Sequence, residues 1–229
     1  MVIKNTLCAV CGGKIEMSYD DEPFTDEANF ENYSKFKRII INRCPYCNYC
    51  SENPSIQVPE KVKELISSKS YFKTLNYEFM GEYKELPDKE YLDLNLNELE
   101  AYAMVCKELN NNLMVARVLG RIADLKYLLA NTYLETKYMK DDEELNDSYD
   151  KIIESLFEQA QINNEECLNF LRGTKISDTF SKIFVAERLC FNGFYNQGKS
   201  IIDKLRKKVT FTKDLSKYVD NFLTEVEQI

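Results

Sequence analysis

Apolar side chains recur at spacings of three and four residues through most of the chain that follows residue 95. Regular stripes of this kind occupy positions 99–109, 149–160 and 215–226, where aliphatic and aromatic residues are interrupted by charged ones. Such spacing places the apolar residues on one face of an α-helix. The segment 113–139 is apolar on more than one side, which predicts a helix at the centre of the fold.

The N-terminal part of the chain has a different pattern. Segment 37–43 contains three consecutive Ile residues between basic residues and predicts a β-strand. Pro54 and Pro59 mark a linker, and Pro59 suits the first turn of a following helix. The sequence therefore predicts two domains, residues 1–55 and residues 56–229.

Five of the eight cysteines lie within the first 50 residues, as two close pairs and one further thiol. Cys8 with Cys11 and Cys44 with Cys47 each form a Cys-x2-Cys pair, and 32 residues separate the two pairs. Zinc accepts four thiolates in a tetrahedron, and paired cysteines at this spacing are typical of such sites. The sequence therefore predicts one structural Zn2+ per chain, bound by these four residues.

The residues around each pair suit the tight turns, or knuckles, that such a site requires. The backbone after the second cysteine commonly needs a positive φ, which Gly12 permits in the first pair and Asn48 tolerates in the second. Pro45 presets φ for the second turn. A redox dithiol is the alternative interpretation, but neither pair opens a plausible helix after a buried strand.

Cys50 follows Cys47 at the same spacing and adds a fifth thiol. It could replace Cys47 as a ligand, be a spare residue, or be a reactive thiol. Because zinc with four thiolates has no place for a fifth, we expect Cys50 to be a bystander. The other cysteines are isolated along the predicted helices and are expected to be small core residues: Cys106, Cys167 and Cys190.

The insert between the two pairs is acidic. Segment 19–31 contains six acids and no bases, but it lacks the alternating ligands and central Gly of a calcium loop. We expect a solvated loop, whose aromatic residues Phe24, Phe30 and Tyr33 attach it to the zinc module or to the helices.

The predicted fold is mainly α, with a small N-terminal zinc-ribbon-like β module followed by an antiparallel helical-hairpin array. Segment 186–205 resembles one tetratricopeptide hairpin, with Gly193 in the tight turn and Gly198 where a small residue lets two helices approach. The rest of the chain shows no clean 34-residue period. The predicted array is therefore only tetratricopeptide-like.

The segment Gly193–Ser200 also satisfies the phosphate-binding pattern G-x-x-x-x-G-K-[ST]. That pattern indicates a phosphate-binding loop only when it lies between a buried strand and a helix. Helical positions in 182–192 carry charge, and the chain offers no second carboxylate strand to hold Mg2+. We expect no nucleotide to bind there.

Composition restricts the chemistry further. The chain has no His, which excludes serine–histidine and cysteine–histidine catalysis within it. Its net charge of −8 disfavours nucleic acid, although local basic clusters occur at Lys35–Arg38 and Lys204–Lys208. No apolar run approaches the roughly 18 residues of a membrane span, and no signal-peptide stretch is apparent, so the expected location is the cytoplasm.

The combination of features resembles a bacterial family, the domain-of-unknown-function 2225 family. The matching residues are Cys8–Cys11, the acidic insert, Arg43–Cys47 and the segment Leu119–Tyr127. Members of that family look like a split zinc module followed by tetratricopeptide-like helices. The resemblance implies this architecture for nearly the whole chain and implies no activity.

Three functional hypotheses follow. The leading one is a non-enzymatic, zinc-stabilised protein–protein interaction module whose helices bind a protein or peptide of basic character, or a second copy of the chain. The second is a thiol redox or zinc-handling protein that uses Cys47 and Cys50. The third is a nucleic-acid-binding zinc ribbon, whose basic residues would be Lys35, Lys37, Arg38 and Arg43. An enzyme that uses a carboxylate base stays open, although no pair of acids stands out.

Overall fold

The computed structural model describes residues 2–20, 25, 27–76, 89–139 and 143–227. Its N-terminal part contains two small antiparallel sheets. β1 pairs with β2 along its whole length, so that Val2 lies opposite Tyr19. The strands and the one helix of this part are β1 Val2–Leu7, β2 Lys14–Tyr19, α1 Phe30–Lys37, β3 Asn42–Arg43 and β4 Cys50–Ser51.

Helices form nearly all of the rest of the described chain. They are α2 Glu60–Ile66, α3 Lys69–Leu75, α4 Lys89–Glu108, α5 Asn112–Met139, α6 Glu143–Leu171, α7 Thr179–Phe191, α8 Tyr195–Arg206 and α9 Lys213–Glu227. The mainly-α prediction is therefore confirmed. No helix in the described part of the chain is both long enough and apolar enough to cross a membrane.

The long helices α5 and α6 pack against each other in antiparallel directions. Lys137 near the end of α5 pairs with Asp150 near the start of α6, at 2.5 Å. Further along, Lys126 of α5 donates to the side chain of Asn163 of α6, at 3.1 Å. The central helix α5 buries apolar residues along its length, among them Val115, Val118, Ile122 and Leu129. This matches the prediction of a central helix at 113–139.

One hydrophobic cluster connects the N-terminal part with the helices. It includes Cys8, Ile15, Tyr33 and Tyr49 from the first 55 residues together with buried residues of α2 to α9. The three cysteines on the helices are also buried in it: Cys106, Cys167 and Cys190. Apolar side chains from both predicted domains thus share a single core.

One prediction about the segment between the two cysteine pairs was wrong. The strand predicted at 37–43 is reduced to Asn42–Arg43, because Lys37 is the last residue of α1. The loop expected over 19–31 ends where α1 begins at Phe30, and Asn29 caps this helix by accepting a hydrogen bond from the N–H of Asn32. Phe24 lies outside the described residues, whereas Tyr33 is fully buried against the C-terminal helices.

Candidate metal centre

The four paired cysteines converge on one point. Their Sγ atoms all lie within 4.8 Å of one another. The Sγ atoms of Cys8 and Cys47 are 3.6 Å apart, and so are those of Cys11 and Cys44. Zinc–sulfur bonds of about 2.3 Å in a tetrahedron place neighbouring sulfurs about 3.8 Å apart. The cluster therefore has the size that a tetrathiolate metal site requires.

The two knuckles use the same backbone hydrogen bonds. In the first, the N–H of Gly12 donates to the carbonyl of Cys8, at 2.8 Å. In the second, the N–H of Asn48 donates to the carbonyl of Cys44, also at 2.8 Å. The N–H of each first cysteine in turn donates to the carbonyl five residues later, at 2.9 Å in both knuckles. The two halves of the site are therefore built alike although their sequences differ.

Both knuckles also contain the positive φ expected from the sequence. Gly12 has φ +73° and Asn48 has φ +62°. Glycine adopts this conformation without strain, and Asn is among the residues that tolerate it best. The side chain of Asn48 also accepts hydrogen bonds from Arg43, through Nε at 3.1 Å and Nη2 at 2.8 Å. Arg43 therefore supports the less favourable of the two turns.

The environment of the thiols differs across the cluster. Burial raises the pKa of Cys8 and of Cys47. At Cys11, burial is the largest single cause and would raise the pKa, but hydrogen bonds from the N–H of Gly13 and from the neighbouring thiols together outweigh it and lower the pKa. A bound cation would favour the thiolate form of all four groups, because only the thiolate is a good metal ligand.

The cluster has a buried side and an open side. Cys8 and Cys44 are buried, Cys47 is partly buried, and Cys11 is exposed. The open side gives an ion a path to the sulfurs. Since the protein itself supplies four ligands, no coordination position is left for a substrate or a water molecule, which is the arrangement of a structural site.

Cys50 does not belong to the group of four. Its Sγ lies 3.5 Å from the carbonyl oxygen of Asn48, and its N–H donates to the hydroxyl of Tyr71 at 3.0 Å. Burial raises the pKa of the Cys50 thiol to about 12. A thiol in this environment is protonated and a poor nucleophile at neutral pH.

The basic residues considered for nucleic-acid binding have partners within the chain. Lys35 pairs with Glu31 at 2.9 Å, and Arg38 pairs with Asp20 at 3.1 Å. Arg43 donates to Asn48, and Lys37 forms ion pairs with carboxylates of the helical part. These contacts occupy the cationic groups that a phosphate backbone would need.

A buried group of charges at the junction of the two parts was missed by sequence reasoning. Glu187 and Arg188 of α7 are 2% and 0% exposed. Arg188 pairs with Asp124 of α5 at 2.8 Å and donates to the side chain of Asn164 of α6 at 3.0 Å. The signal was available, because Glu187 and Arg188 follow the buried Ile183 and Phe184 by four residues, which places them on the core face of the helix.

Glu187 joins the N-terminal part to the helices. It accepts hydrogen bonds from the hydroxyls of Tyr33 at 2.5 Å and Tyr218 at 2.7 Å, and it pairs with Lys37 at 2.8 Å. Burial alone would raise its pKa, but Lys37 and Arg188 lower the pKa of Glu187 to about 2. The carboxylate is therefore charged and paired, which is the condition for keeping it in the core.

The segment Gly193–Ser200 lies between two helices. Gly193 has φ +78° in the turn after α7, and the N–H of Phe194 donates to the carbonyl of Leu189 at 2.9 Å. Lys199 is exposed on α8, with its Nζ 5.5 Å from the centre of the Tyr195 ring. The segment lacks the preceding strand that a phosphate-binding loop requires.

Comparisons of the chain with protein-family models, with curated proteins and with solved structures found no match. The resemblance to the domain-of-unknown-function 2225 family therefore stays a prediction that rests on the residues named above.

Proposed function

We propose that the protein is a zinc-stabilised protein-interaction module without catalytic activity. One structural Zn2+ is bound by Cys8, Cys11, Cys44 and Cys47, and the helical part binds a protein or peptide. The observation that carries the metal proposal is the single cluster of four thiols, because it fills a tetrahedral coordination shell with protein ligands alone. Four thiolates in a tetrahedron suit zinc, and two Cys-x2-Cys pairs are the usual spacing of a structural zinc site.

The role of the ion is to fix the N-terminal part of the chain. Two short sheets cannot bury enough apolar surface to be stable alone, and structural zinc contributes on the order of 10–16 kcal/mol in small domains of this kind. The ion joins the first cysteine pair, which follows β1, to the second pair, which precedes β4. Through the chain between them, it also fixes α1, which contacts α5, α7 and α9.

A tightly packed helical hairpin with an open apolar groove beside it supports the interaction proposal. The α7–α8 hairpin is closed by Gly193, and an added Cβ on Gly198 would lie 2.7 Å from the carbonyl oxygen of Ala186. The two helices are therefore in close contact, as in tetratricopeptide hairpins. Beside this contact they leave an open apolar groove. Stacked helical hairpins commonly present such surfaces to peptides.

The two alternative functions have less support. A redox pair of Cys47 and Cys50 would need an accessible thiolate, whereas Cys50 is buried and its pKa is raised to about 12. A nucleic-acid interface at Lys35–Arg43 would require the basic side chains to leave their acidic partners.

Elemental analysis of the purified full chain tests the metal proposal. We expect one zinc per chain, retained in Cys50→Ser and largely lost in Cys44→Ser. The two variants are matched, because both replace a buried thiol by a hydroxyl. Loss of zinc from Cys50→Ser together with retention in Cys47→Ser would show that the ligand set is wrong.

Cross-linking mass spectrometry of the full chain, purified from its native cell, tests the interaction proposal. We expect cross-links to a protein partner, or to a second copy, that originate in α4 to α9. Recovery of nucleic acid in a salt-sensitive complex, with cross-links at Lys35–Arg43, would favour the zinc-ribbon alternative instead.

A further inference from the structure

An apolar groove lies between α7, α8 and the loop that precedes α7. Its volume is about 310 Å3, which is at the lower end of the range for ligand pockets. The apolar side chains that line it are Ile176, Val185, Ile201 and Leu205. Three of them are only partly buried, so the groove exposes aliphatic surface that no other described residue covers. A groove of this size suits one or two apolar side chains of a larger partner.

The charged residues that line the groove are all lysines: Lys182, Lys204 and Lys208. Lys182 donates to the backbone carbonyl of Ser177 at 2.5 Å. Among the described residues, neither Lys204 nor Lys208 has a carboxylate partner. In contrast, Arg206 on the same turn pairs with Asp220 at 2.7 Å. The basic cluster singled out in the sequence thus contributes two lysines to the groove.

The charge of the groove opposes the charge of the whole chain. The chain carries a net charge of −8, yet the residues that line this groove carry three positive charges and no negative one. An apolar floor between lysines is complementary to a ligand that combines aliphatic side chains with carboxylates. Complementary charges direct association and exclude partners of the wrong sign.

We propose that the groove binds an acidic amphipathic peptide segment of a partner protein, with aliphatic side chains on the floor and carboxylates beside the three lysines. The inference rests on the proposed interaction function and gives its partner a chemistry. It replaces the basic partner expected from net charge alone with an acidic one. An amphipathic helix that places apolar residues three and four positions apart is the form of peptide that such grooves bind.

Fluorescence anisotropy with the full, zinc-loaded chain tests this inference. The probe is a labelled synthetic peptide of alternating Leu and Glu pairs. Two matched peptides carry Lys in place of every Glu, or Ser in place of every Leu. We expect saturable binding of the Leu/Glu peptide, weakened by added salt, and at least tenfold weaker binding of the other two.

Paired charge reversals locate the binding site. The variant Lys204→Glu with Lys208→Glu should weaken binding of the Leu/Glu peptide at least tenfold. The control Lys199→Glu with Lys207→Glu makes the same change in net charge outside the groove and should alter binding less than twofold. Ile201→Ser tests the apolar floor of the groove and should also weaken binding of the Leu/Glu peptide.

Circular dichroism verifies that each variant folds. If Lys204→Glu with Lys208→Glu does not fold, the double variant Lys204→Ala with Lys208→Ala replaces it.

Three results would overturn the inference. These are no binding of the Leu/Glu peptide at millimolar concentration, equal weakening in both charge-reversal variants, and preferential binding of the Leu/Lys peptide. Binding of dodecanoate, but not of the peptide, with loss in Lys204→Glu and Lys208→Glu would assign the groove to a small anionic amphiphile instead. A cellular partner that cross-links elsewhere on the helices would leave the proposed function in place and remove only this site.

Discussion

The N-terminal module that contains the four clustered cysteines and the helical part differ in how their side chains are organised. In the module, a few positions with special backbone geometry bring four thiols within 4.8 Å of one another. In the helical part, many buried apolar residues on several helices form the core together. The N-terminal module should therefore lose its structure when a single ligand sulfur is removed, whereas the helices should lose stability gradually as single apolar side chains are removed.

The junction between the N-terminal part and the helices contains both apolar packing and ion pairs. It is apolar where Tyr33 and Phe36 stack near Phe180. It is ionic where Lys37 meets Glu187 and Asp124. A buried charge with a removed partner is far more destabilising than a lost surface pair. A substitution at this junction should therefore lower the stability of both parts of the chain.

Removing the metal should have the largest effect. Strong chelation, or the variant Cys44→Ser, should abolish hydrogen-exchange protection in β1–β4, because the ion contributes on the order of 10–16 kcal/mol to such folds. We expect most of the far-ultraviolet helical signal to survive, since most residues of the shared core lie on α2 to α9 and pack against one another. Collapse of that signal on chelation would mean that the two parts are not separable.

Breaking the buried ion pairs should be the second largest effect. Arg188→Leu should lower the free energy of unfolding by about 3–5 kcal/mol, because it removes a cation beside the buried Glu187 and the hydrogen-bond donor to the buried side chain of Asn164. The control Arg206→Leu breaks an exposed pair with Asp220 and should cost less than about 1 kcal/mol. Denaturant unfolding at constant zinc concentration measures both. Similar losses in the two variants would contradict a buried role for Arg188.

Glu187 predicts a specific dependence of stability on pH. Its pKa is lowered from 4.5 to about 2 in the folded chain. Its contribution is therefore fully present above pH 4.5 and is lost as the pH falls toward 2. Glu187→Gln should flatten the acid limb of the stability curve over that range. Proton competition for the zinc thiolates is common to both proteins, so the difference between their curves isolates Glu187, and parallel curves would contradict the assignment.

The close contact within the α7–α8 hairpin should give a smaller effect. An added Cβ on Gly198 would lie 2.5 Å from the Sγ of Cys190 and 2.7 Å from the carbonyl oxygen of Ala186. Gly198→Ala should therefore cost about 1–3 kcal/mol, although Ala is normally the better helix former. The second change, Cys190→Ala, should recover part of that loss in thermal unfolding. An increase in stability in Gly198→Ala alone would show that the helices can separate easily.

The last prediction is that nucleotides do not bind to the segment Gly193–Ser200. Calorimetry of the full chain with millimolar Mg-ATP or Mg-GTP should show no binding, because Gly193–Ser200 joins two helices and lacks a preceding strand. Micromolar binding that Lys199→Ala abolishes would contradict this expectation.

The features that were predictable from sequence depend on local spacing. The repeating apolar positions indicated α5, α6 and α9, and the spacing of the cysteines indicated which thiols would meet. The positive φ values after both pairs followed from Gly12 and Asn48. Each of these inferences needs only residues that are near one another in the chain.

The features that were missed depend on residues far apart in the chain. Helix α1 is short and follows an acidic segment, and it is stabilised by contacts such as that of Tyr33 with Glu187, 154 residues later. Glu187 and Arg188 appeared as ordinary charges on a helix, because their partners lie on other elements. Their spacing from Ile183 and Phe184 indicates the core face of α7, but it does not identify the partners that make burial of the charges possible.

The contact between Tyr33 and Glu187 also sets an order of events during synthesis. The two residues are 154 positions apart, and ribosomes add about 5–20 residues per second. Roughly 8–30 s therefore pass before Tyr33 of the nascent α1 meets its partner on α7. All four clustered cysteines emerge well within that interval, so we expect capture of the proposed metal to precede docking. A chain arrested before Thr179 would carry a metal-loaded N-terminus with an aromatic helix face still open to chaperones.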